Sequence, residues 1–327
     1  MNWWKTPRSA EEIIHERKVT HIELFYDIIF SFLFGKFISN FASNLSFTTF
    51  KEFILLVVLA FFGWFSGVNY MERHGHDDLR TRVFAILQML AVGGMVIFSR
   101  DSFGENYIQF FIFYSALLSI QTYLDFVVRR LHSSTATFAA RSMVEFVPLL
   151  LVLSSLFVSS SIRVYLLVLV CFIDIFGPEL FSIRVTMFAK NVINDITVVT
   201  GSLISRFSRF VMIILGNSVG AILNGVNYSS FSSKNFLFLT VGVLIIIGVW
   251  WIYFDHIPEK KPKDTIRWRV FWINLHLLIV VAISGLAVGI IYFMKNLNNI
   301  NFYRDAFLII NSSLILYYLS LTFLLEL

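Results

Sequence analysis

The chain has 327 residues, of which 57% are hydrophobic and 14% are charged, and its net charge is +5. Soluble globular proteins carry about 45–50% apolar and about 25% charged residues, so this composition excludes a soluble enzyme and a disordered chain. The single cysteine, Cys171, excludes an intrachain disulfide. The composition predicts an all-α fold, that of a polytopic helical membrane protein whose main partner is the lipid bilayer.

Ten segments are long and apolar enough to cross the hydrocarbon core as helices, which takes about 20 residues each. The predicted helices 1 to 10 run over residues 20–43, 51–71, 82–100, 106–128, 136–158, 162–182, 205–225, 236–254, 270–293 and 304–326. The loops between them are short and leave no room for a separate soluble domain.

The basic residues predict the orientation of the chain. Nineteen of the 26 lysines and arginines lie in the N-terminal arm, in the loops after helices 2, 4, 6 and 8, or at the adjoining helix ends. Six lie on the other side, and Lys36 lies within helix 1. We therefore expect both termini in the cytoplasm of a multi-pass protein of the cell membrane. The positive charge follows from this topology, so no nucleic-acid partner is predicted.

Two markers indicate an internal repeat. Trp64 and Trp251 are 187 residues apart, and so are the Arg-Val-Phe triplets that begin at Arg82 and Arg269. Helices 1–4 would then correspond to helices 7–10 in the same orientation, which is an architecture of transporters and channels.

These features predict a division into four parts. Residues 1–19 would be a cytoplasmic arm and 20–182 the first membrane repeat. Residues 183–204 would be a cytoplasmic linker, followed by a second, incomplete repeat over 205–327.

The densest ionisable pattern lies in helix 1. Glu23 and Asp27 are four residues apart and share one helical face, and Asp27 would lie about 10 Å into the bilayer. A carboxylate at that depth must pair, take up a proton, bind a cation or contact water. The expected partners are Arg73, Arg82 and Arg141. A helix-packing ion pair and direct proton or cation handling both remain open.

Other polar residues fall inside predicted helices. In helix 5, Arg141 and Glu145 are four apart and can neutralise each other. Asp174 lies near mid-membrane, one turn before a Gly-Pro pair that is expected to kink helix 6. Asn217 makes helix 7 polar, and His276 is either a hydrogen-bonded core residue or a proton relay.

No cofactor, catalytic or metal site is predicted. The cluster His74-Gly75-His76-Asp77-Asp78 has the residue types of metal ligands, but Asp77 or Asp78 is better placed to cap the next helix. The P-loop, GxGxxG, HExxH, GxSxG and CxxC motifs are absent.

Three stretches resemble the bacterial low temperature requirement A family. They are Val19-Thr20-x-x-Glu23-Leu24-Phe25-x-Asp27, the segment from Arg73 to Arg82 with paired aspartates, and Arg206-Phe207-x-x-Phe210 continuing into Ile214-Leu215-Gly216-x-Ser218. The resemblance implies a polytopic membrane protein linked to growth in the cold, without an established activity. Members usually carry Glu where this chain has Asn217, and they are often longer.

A weaker similarity, over one helix, is to the two-repeat potassium channels of lysosomes and bacteria. Their first helix carries Phe-Ser-Asp before an apolar stretch, and Phe25-Tyr26-Asp27 has that shape here. This similarity implies ion conduction, with Ile29 and Leu33 forming the constriction.

Together these observations predict a non-enzymatic channel or carrier for a monovalent cation or a proton, which could assemble as a homo-oligomer. Glu23, Asp27 and Asp174 would form its polar core. A membrane-embedded lipid-handling enzyme and a structural or partner-binding membrane protein are the alternatives.

Overall fold

The computed structural model describes residues 3–8, 17–131, 146–188, 199–225, 233–258, 260–297 and 302–327. In these residues it contains ten α-helices and no strand. They are α1 (His21–Ser43), α2 (Phe47–His74), α3 (Leu79–Ile97), α4 (Tyr107–Leu131), α5 (Phe146–Ser155), α6 (Ser160–Phe188), α7 (Gly201–Asn224), α8 (Ser233–His256), α9 (Ile266–Lys295) and α10 (Tyr303–Glu326). The predicted all-α membrane fold is confirmed.

Several helices begin at polar capping residues that lie before the apolar segments. The side chain of Ser46 accepts a hydrogen bond from the backbone N–H of Thr49 at the start of α2, and Asp78 accepts one from Thr81 at the start of α3. Thr200 caps α7 in the same way. Because a cap satisfies backbone donors of the first turn, these helices start three or four residues earlier than hydropathy alone predicts.

Eight of the ten helices are long and apolar enough to cross a membrane by length and composition. The other two are α1, which carries Glu23, Asp27 and Lys36, and α5, of which ten residues are described. The first helix is nevertheless central, because it contacts α2, α3, α7 and α9.

Burial divides the bundle into an inner and an outer set of helices. The spans of α2 and α9 are mostly buried inside the protein, whereas those of α6, α8 and α10 are mostly exposed. The exposed faces carry large apolar side chains such as Phe172, Leu244 and Phe307. Such outer surfaces suit contact with lipid, while charged residues of α1, α2 and α7 are enclosed by protein.

Candidate functional site: a buried charge network

The centre of the bundle holds an ion pair between α1 and α7. The Arg206 Nη2 atom lies 2.6 Å from Oδ1 of Asp27, and its Nε lies 3.3 Å from Oδ2. Both side chains are fully buried. The indole N–H of Trp64 on α2 donates a third hydrogen bond to Oδ1 of Asp27 at 2.8 Å. Three helices therefore meet at one carboxylate, whose charge is matched and hydrogen-bonded as a buried charge requires.

Aromatic rings enclose this pair. The rings of Trp64 and Phe210 are stacked, with centroids 3.9 Å apart and an angle of 12° between their planes. Phe207 packs edge-on against Trp64 at 5.1 Å and also contacts Trp272 on α9. These rings exclude solvent from the pair, which strengthens its electrostatic attraction.

Glu23 lies one turn before Asp27 and faces the same way. Arg17 binds its carboxylate through two parallel hydrogen bonds of 2.7 Å, and Nη1 of Arg206 lies 3.5 Å from its Oε2 atom. Burial favours the neutral form of Arg17, but Glu23 and Glu72 outweigh it and hold the pKa of the guanidinium above its usual range. Glu23 is thus bound from both sides.

Glu72, on α2, joins α7 to the N-terminal arm. Its Oε1 atom accepts a hydrogen bond of 2.6 Å from the Thr200 hydroxyl and a short one from the Ser202 hydroxyl. Its Oε2 atom lies 3.1 Å from Nη2 of Arg17, the nitrogen that also binds Glu23. Arg17 therefore bridges two carboxylates that belong to different helices. We call Glu23, Asp27, Glu72, Arg17 and Arg206 the charge network.

Two further arginines lie beside the network. The side-chain oxygen of Asn69 accepts hydrogen bonds from Nε of Arg73 at 3.0 Å and from Nη2 of Arg269 at 2.9 Å. Asn69 and Arg73 belong to α2 and Arg269 to α9, and all three side chains are buried. The neutral amide thus links α2 to α9 next to Glu72.

The expected partners of the helix 1 carboxylates need correction. Arg82 lies on the surface and pairs with Asp77 at 2.8 Å, with both side chains 55% exposed. Arg73 binds Asn69. Arg141, like Glu145, lies outside the described residues. The partner of Asp27 is Arg206, 179 residues along the chain.

Sequence reasoning missed Arg206, Arg17, Glu72 and Trp64 as members of the network. Arg206 stands at the start of predicted helix 7, where it contributes to the topological charge and to a stretch that resembles the family. Its position inside an apolar helix beside Phe207 was the available signal, because an arginine at membrane depth requires a carboxylate.

Asp174 lies apart from the network, on α6. Its side chain is partly buried, and within the described part of the chain no hydrogen bond or ion pair involves it. Its electrostatic neighbours there are the neutral groups of Tyr114 and Cys171. The helix runs on through Gly177-Pro178, and Asn274 of α9 donates a hydrogen bond of 3.3 Å to the Ile175 carbonyl.

His276 and Asn217 lie elsewhere in the bundle. The buried ring of His276 bonds through Nδ1 to the Trp272 carbonyl at 2.8 Å and through Nε2 to the Tyr253 hydroxyl at 3.2 Å. Both ring nitrogens are thus engaged, as in a core histidine. Asn217 packs against Gly35 of α1, and its side-chain nitrogen has no hydrogen-bond partner among the described residues.

The polar residues in the turn between α2 and α3 make hydrogen bonds that hold the turn and the neighbouring chain in place. His74 is buried, and its Nδ1 lies 2.9 Å from the Arg8 carbonyl oxygen. Partial burial opposes ionisation of Asp78, but backbone N–H groups of Lys5 and Thr81 donate to its carboxylate and lower its pKa. In the described residues no group of three or more His, Cys, Asp or Glu side chains is placed to hold a metal ion.

Comparison with known proteins agrees with the helical membrane architecture. The family model for bacterial low temperature requirement A protein (LtrA) matches residues 18–326. The comparisons with curated proteins and with solved structures give no match. The match extends from the residue after Arg17 to the end of α10 and includes Glu23, Asp27, Glu72 and Arg206. The chain therefore belongs to the bacterial low temperature requirement A protein family.

Proposed function

We propose that this integral membrane protein is a channel or transporter for a proton or a monovalent cation, without enzymatic activity. The observation that carries the proposal is Asp174, a partly buried carboxylate on a candidate membrane span with no ion pair in the described residues. A carboxylate at this depth is costly unless it takes up a proton or meets a cation or water. Asp174 is therefore our candidate for direct ion handling.

The charge network supports a different role for Asp27 and Glu23. Both carboxylates are bound by arginines, so little of their charge is open to a passing ion. Asp27 instead joins α1 to α7, the first helices of the two proposed repeats. We infer that the pair organises the two halves, while the pathway uses other groups.

The proposed repeat supports a transport architecture. Thr265 caps α9 as Asp78 caps α3, and these two N-caps are again 187 residues apart. Three of the helix contacts also correspond, since α1 contacts α2 and α3 as α7 contacts α8 and α9, and α3 contacts α4 as α9 contacts α10. Parallel repeats about an axis along the membrane normal occur in transporters.

A structural or partner-binding role is the second candidate. Its support is the pairing of all three carboxylates of the charge network, because a purely structural bundle needs every buried charge matched. Transport predicts that loss of the Asp174 charge abolishes ion flux, whereas the structural role predicts no ion flux even in the unmodified protein.

The test is ion flux from proteoliposomes that contain the purified protein, with potassium and proton gradients applied separately. Asp174→Asn keeps the size of the side chain and removes its charge, and we expect it to abolish flux while the protein stays monodisperse. Asp264→Asn is the matched control, because Asp264 lies in an exposed pair with Lys261 outside the spans. Unchanged flux in Asp174→Asn would remove Asp174 from the pathway. Absence of flux for both ions in the unmodified protein would favour the structural role.

A further inference from the structure

One face of α1 is exposed along the whole length of the helix. The exposed side chains follow each other at steps of three or four residues, and they are Phe25, Ile28, Phe32, Lys36, Ser39 and Ser43. This spacing places them on one side of the helix. The remaining sides of α1 contact α2, α3, α7 and α9. A helix that is central to the bundle thus reaches its surface along one complete face.

Small residues of α7 continue this face. Gly35 of α1 lies against Asn217 of α7, where a Cβ added to the glycine would be 3.9 Å from the Asn217 Cβ. Beside this contact Gly216 is exposed, and a Cβ added at Gly216 or at Gly220 would meet nothing within 4 Å. These two glycines are four residues apart and lie on the same side of α7. We call the outer face of α1 together with Gly216, Asn217 and Gly220 the seam.

Two polar side chains lie in the seam at membrane depth. Lys36 is exposed and stands seven residues, about 10 Å, before the end of α1. A lysine can extend its ammonium group to the membrane surface, so the exposure of Lys36 alone does not require a protein partner.

Asn217 is too short to reach the membrane surface in this way. Its side chain is partly exposed, and its nitrogen has no hydrogen-bond partner among the described residues. An amide without a partner is costly in lipid, which offers no hydrogen bond at this depth. The seam therefore carries a polar group that a neighbouring protein can satisfy and lipid cannot.

The outer face of α8 differs from the seam. It also has an open glycine, Gly248, where an added Cβ would meet nothing within 4 Å. Its exposed neighbours are the bulky apolar side chains of Leu244, Ile247 and Trp251. Such side chains suit lipid, whereas small and polar residues mark helix–helix interfaces in membranes, because they permit close backbone approach and hydrogen bonds. The seam has the composition of a protein interface, and the outer face of α8 does not.

We propose that the seam is the interface with a second copy of this chain in the membrane. A two-fold interface is self-complementary, so each side presents the same residues to the other. In this arrangement the Lys36 ammonium of each copy can donate to the Asn217 side-chain oxygen of the other copy, and the open glycines allow the helices to approach closely. The inference goes beyond the proposed function and stands whether or not the bundle carries ions.

The first test changes one open glycine in the seam and one outside it. Gly216→Leu and Gly248→Leu both add a side chain where the single chain leaves free space, so both variants should fold like the unmodified protein. The number of chains per particle is counted in dilute liposomes by stepwise photobleaching of a fluorescent protein fused to residue 327. We expect two chains for the unmodified protein and for Gly248→Leu, and one chain for Gly216→Leu.

The second test is cross-linking between copies in membranes, in a Cys171→Ser background that removes the native thiol. Ser39→Cys lies in the seam, and Ser312→Cys on α10 is its matched control. Both native serines are exposed and donate a hydrogen bond to a carbonyl of their own helix. We expect a bifunctional maleimide to join two Ser39→Cys chains and to leave Ser312→Cys as single chains.

Three results would overturn the proposal. One chain per particle for the unmodified protein would show that lipid alone covers the seam. Two chains per particle for Gly216→Leu would place the interface on another face, and so would equal cross-linking of Ser39→Cys and Ser312→Cys. None of these measurements uses ion flux, so failure of the interface is distinguishable from failure of the proposed transport.

Discussion

At the scale of single residues, the protein's chemistry depends on pairs that are distant in sequence. The spacing of Glu23 and Asp27 correctly indicated one polar face of α1. It could not indicate the partner, because Arg206 is 179 residues from Asp27 along the chain. Three other arginines near helix ends, Arg73, Arg82 and Arg141, were equally plausible partners. Only the packing of α1 against α7 selects Arg206.

Removal of the Asp27 charge should strongly destabilise the protein. Asp27→Asn leaves the fully buried Arg206 guanidinium with only the more distant Glu23 carboxylate, 3.5 Å away and shared with Arg17, and loss of one partner of a buried pair costs about 3–5 kcal/mol. Thermal unfolding in detergent should show a clearly lower midpoint. The double variant Asp27→Asn/Arg206→Gln should recover part of the loss.

The control for this prediction is Asp77→Asn, which breaks the exposed pair with Arg82. Exposed pairs contribute about 1 kcal/mol or less, so its midpoint should hardly change. Equal effects of Asp27→Asn and Asp77→Asn would contradict the assignment of Asp27–Arg206 as the central pair.

At the scale of helices, hydropathy predicted most of the architecture. Helices lie in all ten predicted segments, although the described part of predicted helix 5 is limited to Phe146–Ser155 and its first half lies outside the described residues. Most of the other ends differ from the prediction by a few residues, because about 20 apolar residues are needed for each crossing. The differences arise at polar caps such as Ser46 and Thr200, which lie outside an apolar window but complete the first turn. Hydropathy also could not show that the arm binds the α2–α3 turn, since that contact uses backbone groups.

Close packing of α1 against α2 depends on Gly67. A Cβ atom at this position would overlap the Tyr26 hydroxyl, which donates a 3.0 Å hydrogen bond to Gln88 on α3. We expect Gly67→Ala to cost about 1–3 kcal/mol, as overpacking of a tight core does. Gly93→Ala, where a Cβ would meet nothing within 4 Å, should be neutral or slightly stabilising. If the two variants have the same unfolding midpoint, the α1–α2 contact is not as close as described.

Docking of the arm should weaken in acid. Hydrogen bonds from the docked arm and from Thr81 lower the pKa of Asp78. The contribution of Asp78 to docking is therefore fully present above the ordinary carboxyl pKa of about 3.9. It is lost as the pH falls through the lowered pKa of Asp78 in the docked state. The groups that face Asp78 are the Lys5 N–H, His76 and Thr81. Attachment of the arm, read from the fluorescence anisotropy of a dye on Trp3→Cys in a Cys171→Ser background, should therefore fall below pH 4. This fall should be smaller in an added Asp78→Asn background, and an equal fall in both backgrounds would exclude Asp78 as the titrating group.

At the scale of the whole molecule, composition and hydropathy were enough to predict the class, and the family match confirms it over residues 18–326. The ion that the proposed channel would carry could not be predicted from the sequence, because ion selectivity depends on the width and lining of a pathway rather than on any motif. The network of Arg17, Glu72 and Arg206 likewise exists only once α1, α2 and α7 are packed together.

The distribution of basic residues makes a prediction about the whole chain. Both termini should lie in the cytoplasm, because nineteen of the 26 lysines and arginines lie on the side of the arm and even-numbered loops. Reporter fusions at residue 1 and residue 327 should both report the cytoplasm, and a fusion in the loop after α3 should report the opposite side. Termini on different sides would require an odd number of crossings and would contradict the parallel repeat.

The most direct test of the central claim is flux from proteoliposomes that hold the unmodified protein, measured against protein-free vesicles prepared in the same way. We predict flux above that background under a potassium gradient or a proton gradient, and we predict that it depends on Asp174. Vesicles that contain well-folded protein but release neither ion would contradict transport by this bundle.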